Sequence, residues 1–332
     1  MKPPSGGFML SDAMTDWTPS ADLPTLRARA ALLAALRGFF AARGVLEVET
    51  PLLSSHATVD RHIDSFRTAD GRWLQTSPEF AMKRLLCAGS GPIWQVCRVF
   101  RREESGRHHN PEFTMLEWYR PGFDHQALMG EVAELVVALA AALGRPLGDG
   151  MERLSYREAF RRHLGLDPFS AGIPQIRAAL AATGHDAGDL GGDDRDIWLD
   201  VAMSLAVGPR LGLEAPCFLY DFPASQAALA RIRRDDPPVA ERFELFWRGT
   251  ELANGFHELG DAAEQRRRFE AEQAWRREQG REVPPYDRNL VAALAAGLPD
   301  CAGVALGLDR LLMLLLGKDS LAEVLAFDSG RA

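Results

Sequence analysis

Between residues 98 and 120 the chain reads R-V-F-R-R-E-E-S-G-R-H-H-N-P-E-F-T-M-L-E-W-Y-R, and no other stretch limits the possible folds so narrowly. An apolar segment, 94–100, leads into a loop holding Arg101, Arg102, Glu103, Glu104, Arg107, His108 and His109. The return carries Phe113, Met115, Glu117 and Tyr119 at every second position. A period of two places side chains on one face of a strand. The spacing therefore predicts a β-hairpin with cations at its tip and an aromatic and acidic wall. Arginines suit phosphate, an aromatic face suits a base, and a carboxylate suits an exocyclic amine. A nucleotide fits such a surface; a solvated hairpin is the plainer alternative.

A second segment, F-E-L-F-W-R-G-T-E-L-A-N-G-F-H-E-L at 243–259, sharpens the choice. Glu244, Glu251, Asn254 and Glu258 lie among Leu245, Phe246, Leu252 and Phe256. Buried carboxylates without partners are costly. Cations must meet them: Mg²⁺, a substrate amine, or the hairpin arginines. A third segment, 303–310, has glycines at 303 and 307 that allow close backbone approach to a ligand, followed by Arg310 at a predicted helix start. Ser77-Pro78-Glu79 marks a strand-to-helix junction, where a glutamate favours a helix N-terminus.

The rest of the chain frames these segments. Residues 1 to about 20, rich in Gly, Pro, Ser and Asp, read as a disordered tail. Residues 23–43 predict a helix, with Leu26, Ala30, Leu33, Leu36 and Phe40 at helical spacing and Gly44 after it. Helices are also expected at 80–87, 124–144, 154–164, 173–182, 198–205, 262–279 and 289–297. The stretch near 145–210 reads as a helical insertion without chemistry, and 262–279 as an ordinary solvated helix. His56 and His62 read as solvated, since no third metal ligand sits at suitable spacing.

With 332 residues, 46% hydrophobic and 25% charged, the chain can form one large domain or two modest ones. A net charge of −8 argues against extended nucleic-acid binding while allowing a local basic patch. Cys87, Cys97, Cys217 and Cys301 are scattered and read as reduced core thiols. No stretch reads as a membrane span or secretory signal, so no membrane partner and a cytoplasmic location are expected.

Taken together, these segments resemble the catalytic core of class II aminoacyl-tRNA synthetases, lysine subclass. G-V-L-E-V-E-T-P-L-L resembles motif 1, which forms the dimer interface in that family. F-R-R-E through H-N-P-E-F-T-M-L-E-W-Y resembles motif 2, G-V-A-L-G-L-D-R resembles motif 3, and E-L-A-N-G-F-H-E-L resembles the lysine pocket. The resemblance covers about 23–327. It implies an α+β fold, an antiparallel sheet flanked by helices, in one catalytic domain at 21–332, and a homodimer. Too few residues precede 23 for the anticodon-binding domain of lysyl-tRNA synthetases. The chain therefore resembles the stand-alone branch that activates β-lysine with ATP and transfers it to a lysine of elongation factor P, with no anticodon recognition.

The resemblance also implies residue roles. Arg101 would hold the α-phosphate, Glu103 the adenine amine, and His109 and Asn110 the phosphates or the loop. Phe113 would stack on adenine, and Arg310 would meet the γ-phosphate and the other adenine face. Gly307 would give the nucleotide close backbone access. Glu244 and Glu251 would bind Mg²⁺, with Leu245 adding a backbone contact. Ser77, Pro78, Glu79, Glu117, Tyr119, Glu251, Asn254 and Glu258 would line the amino-acid pocket. Adenylation needs positioning and charge neutralisation, so no catalytic nucleophile or base is expected in that step.

Two positions depart from the family pattern. Ala305 stands where lysyl-tRNA synthetases usually have glycine, and its methyl would disfavour an α-amine. Arg102 stands where asparagine is common, and would aid ATP or dock an acidic partner. Two other readings stay open: a truncated lysine-type ligase acting on a small molecule or tRNA, and a non-catalytic regulatory paralogue.

Overall fold

The computed structural model describes residues 17–102, 105–148 and 150–332. Helix α1 (Leu23–Ala41) begins where Asp22 accepts a hydrogen bond from the Thr25 N–H at 2.8 Å, with Pro24 in the first turn. Short strands β1 (Leu46–Glu47), β2 (Leu53–Ser54) and β3 (Trp73–Leu74) follow, then helix α2 (Glu79–Cys87). Strands β4 (Ile93–Phe100) and β5 (Glu112–Pro121) form the predicted hairpin. Helix α3 (His125–Ala142), strand β6 (Glu152–Ser155) and helices α4 (Tyr156–Leu164), α5 (Ile173–Ala182) and α6 (Arg195–Ala202) lead to β7 (Cys217–Pro223). The remainder is β8 (Ile232–Arg233), β9 (Val239–Trp247), β10 (Thr250–His257), α7 (Ala262–Glu278), α8 (Arg288–Ala296), β11 (Cys301–Gly307) and α9 (Leu308–Leu316).

The main sheet runs β1-β4-β5-β11-β10-β9-β7-β6, with β8 added to β9. Its centre is antiparallel; among the described residues only the end pairs β1–β4 and β6–β7 are parallel. This is the expected fold class. Strand alternation divides the two faces. Trp94, Leu116, Trp118, Leu245 and Val304 enter a core with α1, α3 and α9, including Phe40, Val132 and Leu308. The opposite face presents Met115, Glu117, Tyr119 and Ala305 to a large cavity.

Four expectations need correction. The tail reading falls outside the described residues at 1–16, but Ser20 is held by the Ala326 carbonyl (2.8 Å) and Asp328 (3.1 Å). Residues 154 and 155, expected to begin a helix, instead end strand β6; the Ser155–Glu158 capping box fixes the start of α4 at Tyr156. The insertion, read as carrying no chemistry, contributes Asp196, Ile197 and Asp200 to the cavity wall. Finally, α3 is long and apolar enough by length and composition to cross a membrane, with a mean hydropathy of 1.3. Its Leu128, Met129, Val132, Leu135, Val136 and Leu139 are all buried in the main core.

Helix α7 is likewise more than a solvated face. It buries Gln265, Phe269 and Arg276. Arg276 donates to Asp64 Oδ1 (2.8 Å) and to the carbonyls of Ile63 (2.7 Å) and Val59 (3.3 Å). It thereby pins the 59–64 loop, whose residues 59–63 line the cavity. Removing one partner of a buried ion pair strands the other. Arg276→Ala is expected to lower stability by about 3 kcal/mol, measured by denaturant unfolding.

Candidate active site

The cavity holds about 930 Å³, at the upper end of the range for small-molecule sites. It extends from the hairpin tip to the middle of the sheet. Arg101, His109, Asn110 and Phe113 line it from the hairpin, Glu244 from β9, Glu251 and Asn254 from β10, and Gly307 and Arg310 from the β11–α9 junction. Ser77, Pro78, Glu79, Glu117, Tyr119, Glu258 and Ala305 line it as well. The widely separated segments singled out in the sequence therefore share one chamber.

Two predicted residues, Arg102 and Leu245, do not join them through their side chains, and a third lies outside what the structure describes. Glu103 lies outside the described residues. Arg102 is absent from the cavity wall. Its N–H donates to the Asp64 carbonyl (2.7 Å), and its guanidinium lies 4.0 Å from Glu282. Leu245 sits on the core side of β9 by strand alternation, so only its backbone is available to the cavity face.

At the nucleotide-like end, the Arg310 guanidinium is fixed between two segments. It donates to the His108 carbonyl at 3.1 Å and the Glu251 carbonyl at 3.0 Å. Its neighbour Asp309 is buried and tied to Arg29 (2.5 Å) and the Thr114 N–H (2.7 Å), which locks the start of α9 to β5. Arg101 lies over the Phe113 ring at 5.2 Å. A Cβ on Gly307 would meet protein atoms only at ordinary contact distances, the nearest being Leu252 O at 3.7 Å. No neighbour within the protein demands glycine there. Asn110 is committed to its surroundings, bonding the Glu112 carbonyl (2.6 Å) and the Ser329 N–H (3.1 Å).

The acidic strand is organised by a residue the sequence reading missed. Arg242 donates to Glu244 (2.5 Å) and to Asn254 Oδ1 (3.2 Å), and lies over the Phe222 ring at 4.4 Å. Burial pushes Glu244 up to about 7; Arg242 opposes the shift and Glu251 adds to it. Two carboxylates that repel each other in one chamber are oxygen donors of the kind a hard divalent cation takes. Strand spacing from Asn254 to Glu258 also predicts the facing of Phe256, which lines the cavity.

The other end is a carboxylate pocket. Glu117 accepts from Ser77 Oγ (2.8 Å) and the Tyr119 hydroxyl (2.7 Å). Ser77 Oγ also accepts the Glu79 N–H at 3.0 Å, coupling α2 to β5. Ala305 pairs across the sheet with Glu117 on one side and Asn254 on the other, so its methyl lies on the floor between them. Gly303 must be glycine: a Cβ there would overlap the Tyr119 ring and approach Glu258 Oε1 to 2.5 Å. Burial raises Glu117 to about 8 and Glu258 to about 7. The charge of Glu79 adds to both shifts, and Lys83 opposes that of Glu258. Lys83 is the second residue the reading missed, although Glu79 and Lys83 stand at helical i,i+4 spacing.

The family described as tRNA synthetases class II (D, K and N) matches residues 10–330. The chain belongs to that class II synthetase family. Among curated relatives, the elongation factor P–(R)-β-lysine ligase of Salmonella dublin is 51% identical over 95% of this chain and 98% of its own length. The protein of the same name from Salmonella paratyphi B is 52% identical over the same shares. As a class II family member with these relatives, the chain is a ligase.

Besides the cavity, His125, Glu241 and His257 bring three ligand-type groups within 4.8 Å. Alternation along β10 puts His257 on the face opposite Asn254 and Phe256. His257 bridges Glu241 (2.6 Å) and Asp300 (3.0 Å), while Arg233 pairs with Asp221 (2.7 Å) beside His125. This is an ion-pair network closed by an internal cation.

Proposed function

We propose that this class II ligase activates (R)-β-lysine with ATP and transfers it to a lysine side chain of elongation factor P. One observation carries the reading: the half-buried Glu79 and the buried Glu117 and Glu258 form a pocket in the same cavity as Arg101 and Arg310. A diamine brings two ammonium groups and needs several carboxylates; an activated carboxylate needs cations beside the phosphate. The names of the relatives point to the same substrate and acceptor.

In the first half-reaction a substrate carboxylate oxygen bonds to the α-phosphorus of ATP and pyrophosphate leaves. Arg101 and Arg310 neutralise charge on the phosphoryl oxygens, and Phe113 offers a face to adenine. Asn254 accepts from Arg242 through Oδ1, which leaves its amide nitrogen to donate to the substrate. Glu244 and Glu251 would hold Mg²⁺, which supplies Lewis-acid neutralisation of the phosphates. In the second half-reaction the acceptor amine bonds to the acyl carbon, AMP leaves, and the amine gives up a proton.

We also propose a homodimer formed through the motif 1 segment. The short strand β1 is an edge of the sheet, and Leu46, Leu52 and Leu53 beside it are exposed large apolar residues. Such a patch is a recognisable interface signal.

Pyrophosphate exchange with α-lysine, each β-lysine enantiomer and a blank tests the proposed function. Strong exchange with (R)-β-lysine alone, followed by acylation of elongation factor P, is expected. Preference for α-lysine would replace it with a lysine-type ligase of other acceptor; no exchange would leave a regulatory paralogue. The floor methyl supplies a further prediction. Ala305→Gly is expected to raise the α-lysine to β-lysine ratio of kcat/KM about tenfold, because one methyl in a pocket carries discrimination of that order. An unchanged ratio would dismiss the methyl as the selector.

A further inference from the structure

The sequence places only three lysines among its 38 basic residues: Lys2, Lys83 and Lys318. Lys83 is 1% exposed, on α2 behind the carboxylate pocket. Its Nζ lies 2.7 Å from Glu79 Oε1 and 2.6 Å from Glu258 Oε2. Both glutamates line the cavity, whereas Lys83 itself does not. Neither Glu258 oxygen has a hydrogen-bond partner among the described residues; the Lys83 contact is an ion pair to Oε2, which leaves Oε1 on the other side of that carboxylate.

We infer that Lys83 is a positioning residue that sets the pocket's specificity for a doubly cationic amine. Its ammonium holds the rear oxygens of Glu79 and Glu258, leaves Glu258 Oε1 for a substrate ammonium, and cancels one negative charge. The inference rests on the diamine reading of the pocket. With substrate bound and the pocket protons displaced, three ionised carboxylates against one internal ammonium leave a charge of −2, which two substrate ammonium groups match. Without the internal cation the pocket would hold its protons more tightly, and neutral carboxyls bind ammonium poorly. Lysine suits the place better than arginine, since a compact ammonium directs separate N–H donors at two carboxylates where a planar guanidinium presents a fork.

The charge on Lys83 is secure. Burial opposes it, but Glu258 and Glu79 overcome that penalty and hold the ammonium above the ordinary lysine range. The other titratable groups near it are Glu117 and Tyr119 on β5, Cys87 on α2 and Cys301 on β11. Burial raises both thiols, so they remain neutral near pH 7.

The test compares wild type with Lys83→Met in (R)-β-lysine-dependent pyrophosphate exchange across pH. The variant is expected to raise the KM for β-lysine about 30-fold with the KM for ATP within about twofold. Its acid limb in kcat/KM should move up by about one pH unit, because loss of the cation raises the remaining carboxylates. A β-lysine KM within threefold of wild type, or a uniform loss of activity with the pH profile unmoved, would reduce Lys83 to a packing ion pair and overturn the inference. Should Lys83→Met fail to fold, ¹⁵N spectra of wild-type lysine ammonium groups decide the matter. One slowly exchanging signal that responds to β-lysine supports the role; its absence or indifference overturns it. Wild-type protein that exchanges with no lysine isomer would defeat the proposed function itself, an outcome distinct from any failure of the variant.

Discussion

Arg310→Ala is expected to lower β-lysine-dependent pyrophosphate exchange about a thousandfold, with the loss in kcat rather than in the KM for β-lysine. Removing one preorganised donor to developing transition-state charge costs about a hundred- to a thousandfold. Arg310 stands at the upper end because it does two things. It is held by the His108 and Glu251 carbonyls, so its orientation is set before any ligand arrives. It also bridges the hairpin loop to the acidic strand, and its removal releases both. Arg310→Lys should recover little, since a single ammonium cannot span two carbonyls and still present a planar face. The fold should survive, because the start of α9 is anchored by Asp309 through Arg29 and Thr114 and not by Arg310. Steady-state exchange with unfolding curves for each variant checks this. A kcat within tenfold of wild type would remove Arg310 from the chemistry.

What the sequence disclosed and what it hid divide along physical lines. The period-two series Phe113, Met115, Glu117, Tyr119 was legible because a strand's facing is local, and all four residues line the cavity. The excess of carboxylates at Glu244, Glu251 and Glu258 was legible as a demand for cations, since buried charge must be matched. The identity of one of those cations was not. Lys83 meets Glu258 only through tertiary packing of α2 against the end of β10, and neither segment announces the other. Arg242 escaped for the opposite reason: next to Glu244 in an alternating strand, it reads as an ordinary charged neighbour until Phe222 is seen beneath it. The burial of α7 was hidden because its many charges mask Gln265, Phe269 and Arg276. Arg102 stays off the cavity wall, its N–H bonded to the Asp64 carbonyl, a tertiary contact that the loop sequence does not announce.

Glu258→Gln is expected to raise the KM for β-lysine about a hundredfold and to destabilise the apoprotein by about 3 kcal/mol. Both effects have one cause. The amide cannot neutralise Lys83, which keeps only Glu79, and it cannot offer an anionic oxygen to the substrate. The pH dependence separates this from a general loss of packing. Burial raises Glu117 to about 8 and Glu258 to about 7 in the folded protein, so folding takes up protons above the ordinary carboxylate range. Their contribution to stability is present below that range and is lost as pH rises through about 7 and then about 8. Wild-type apoprotein should therefore lose stability from this pocket as pH rises from the ordinary carboxylate range to about 8, with no further loss above it, and β-lysine should offset the loss by pairing with the ionised carboxylates. Binding at pH 6.5 should release between about one and two protons as Glu117 and Glu258 ionise, seen by calorimetry in buffers of different ionisation enthalpy. In Glu258→Gln the release should fall and the ligand-induced rise in Tm should nearly vanish. Undiminished proton release in the variant would move the substrate ammonium away from Glu258 and onto Glu117, the other buried carboxylate whose proton the pocket holds near neutral pH.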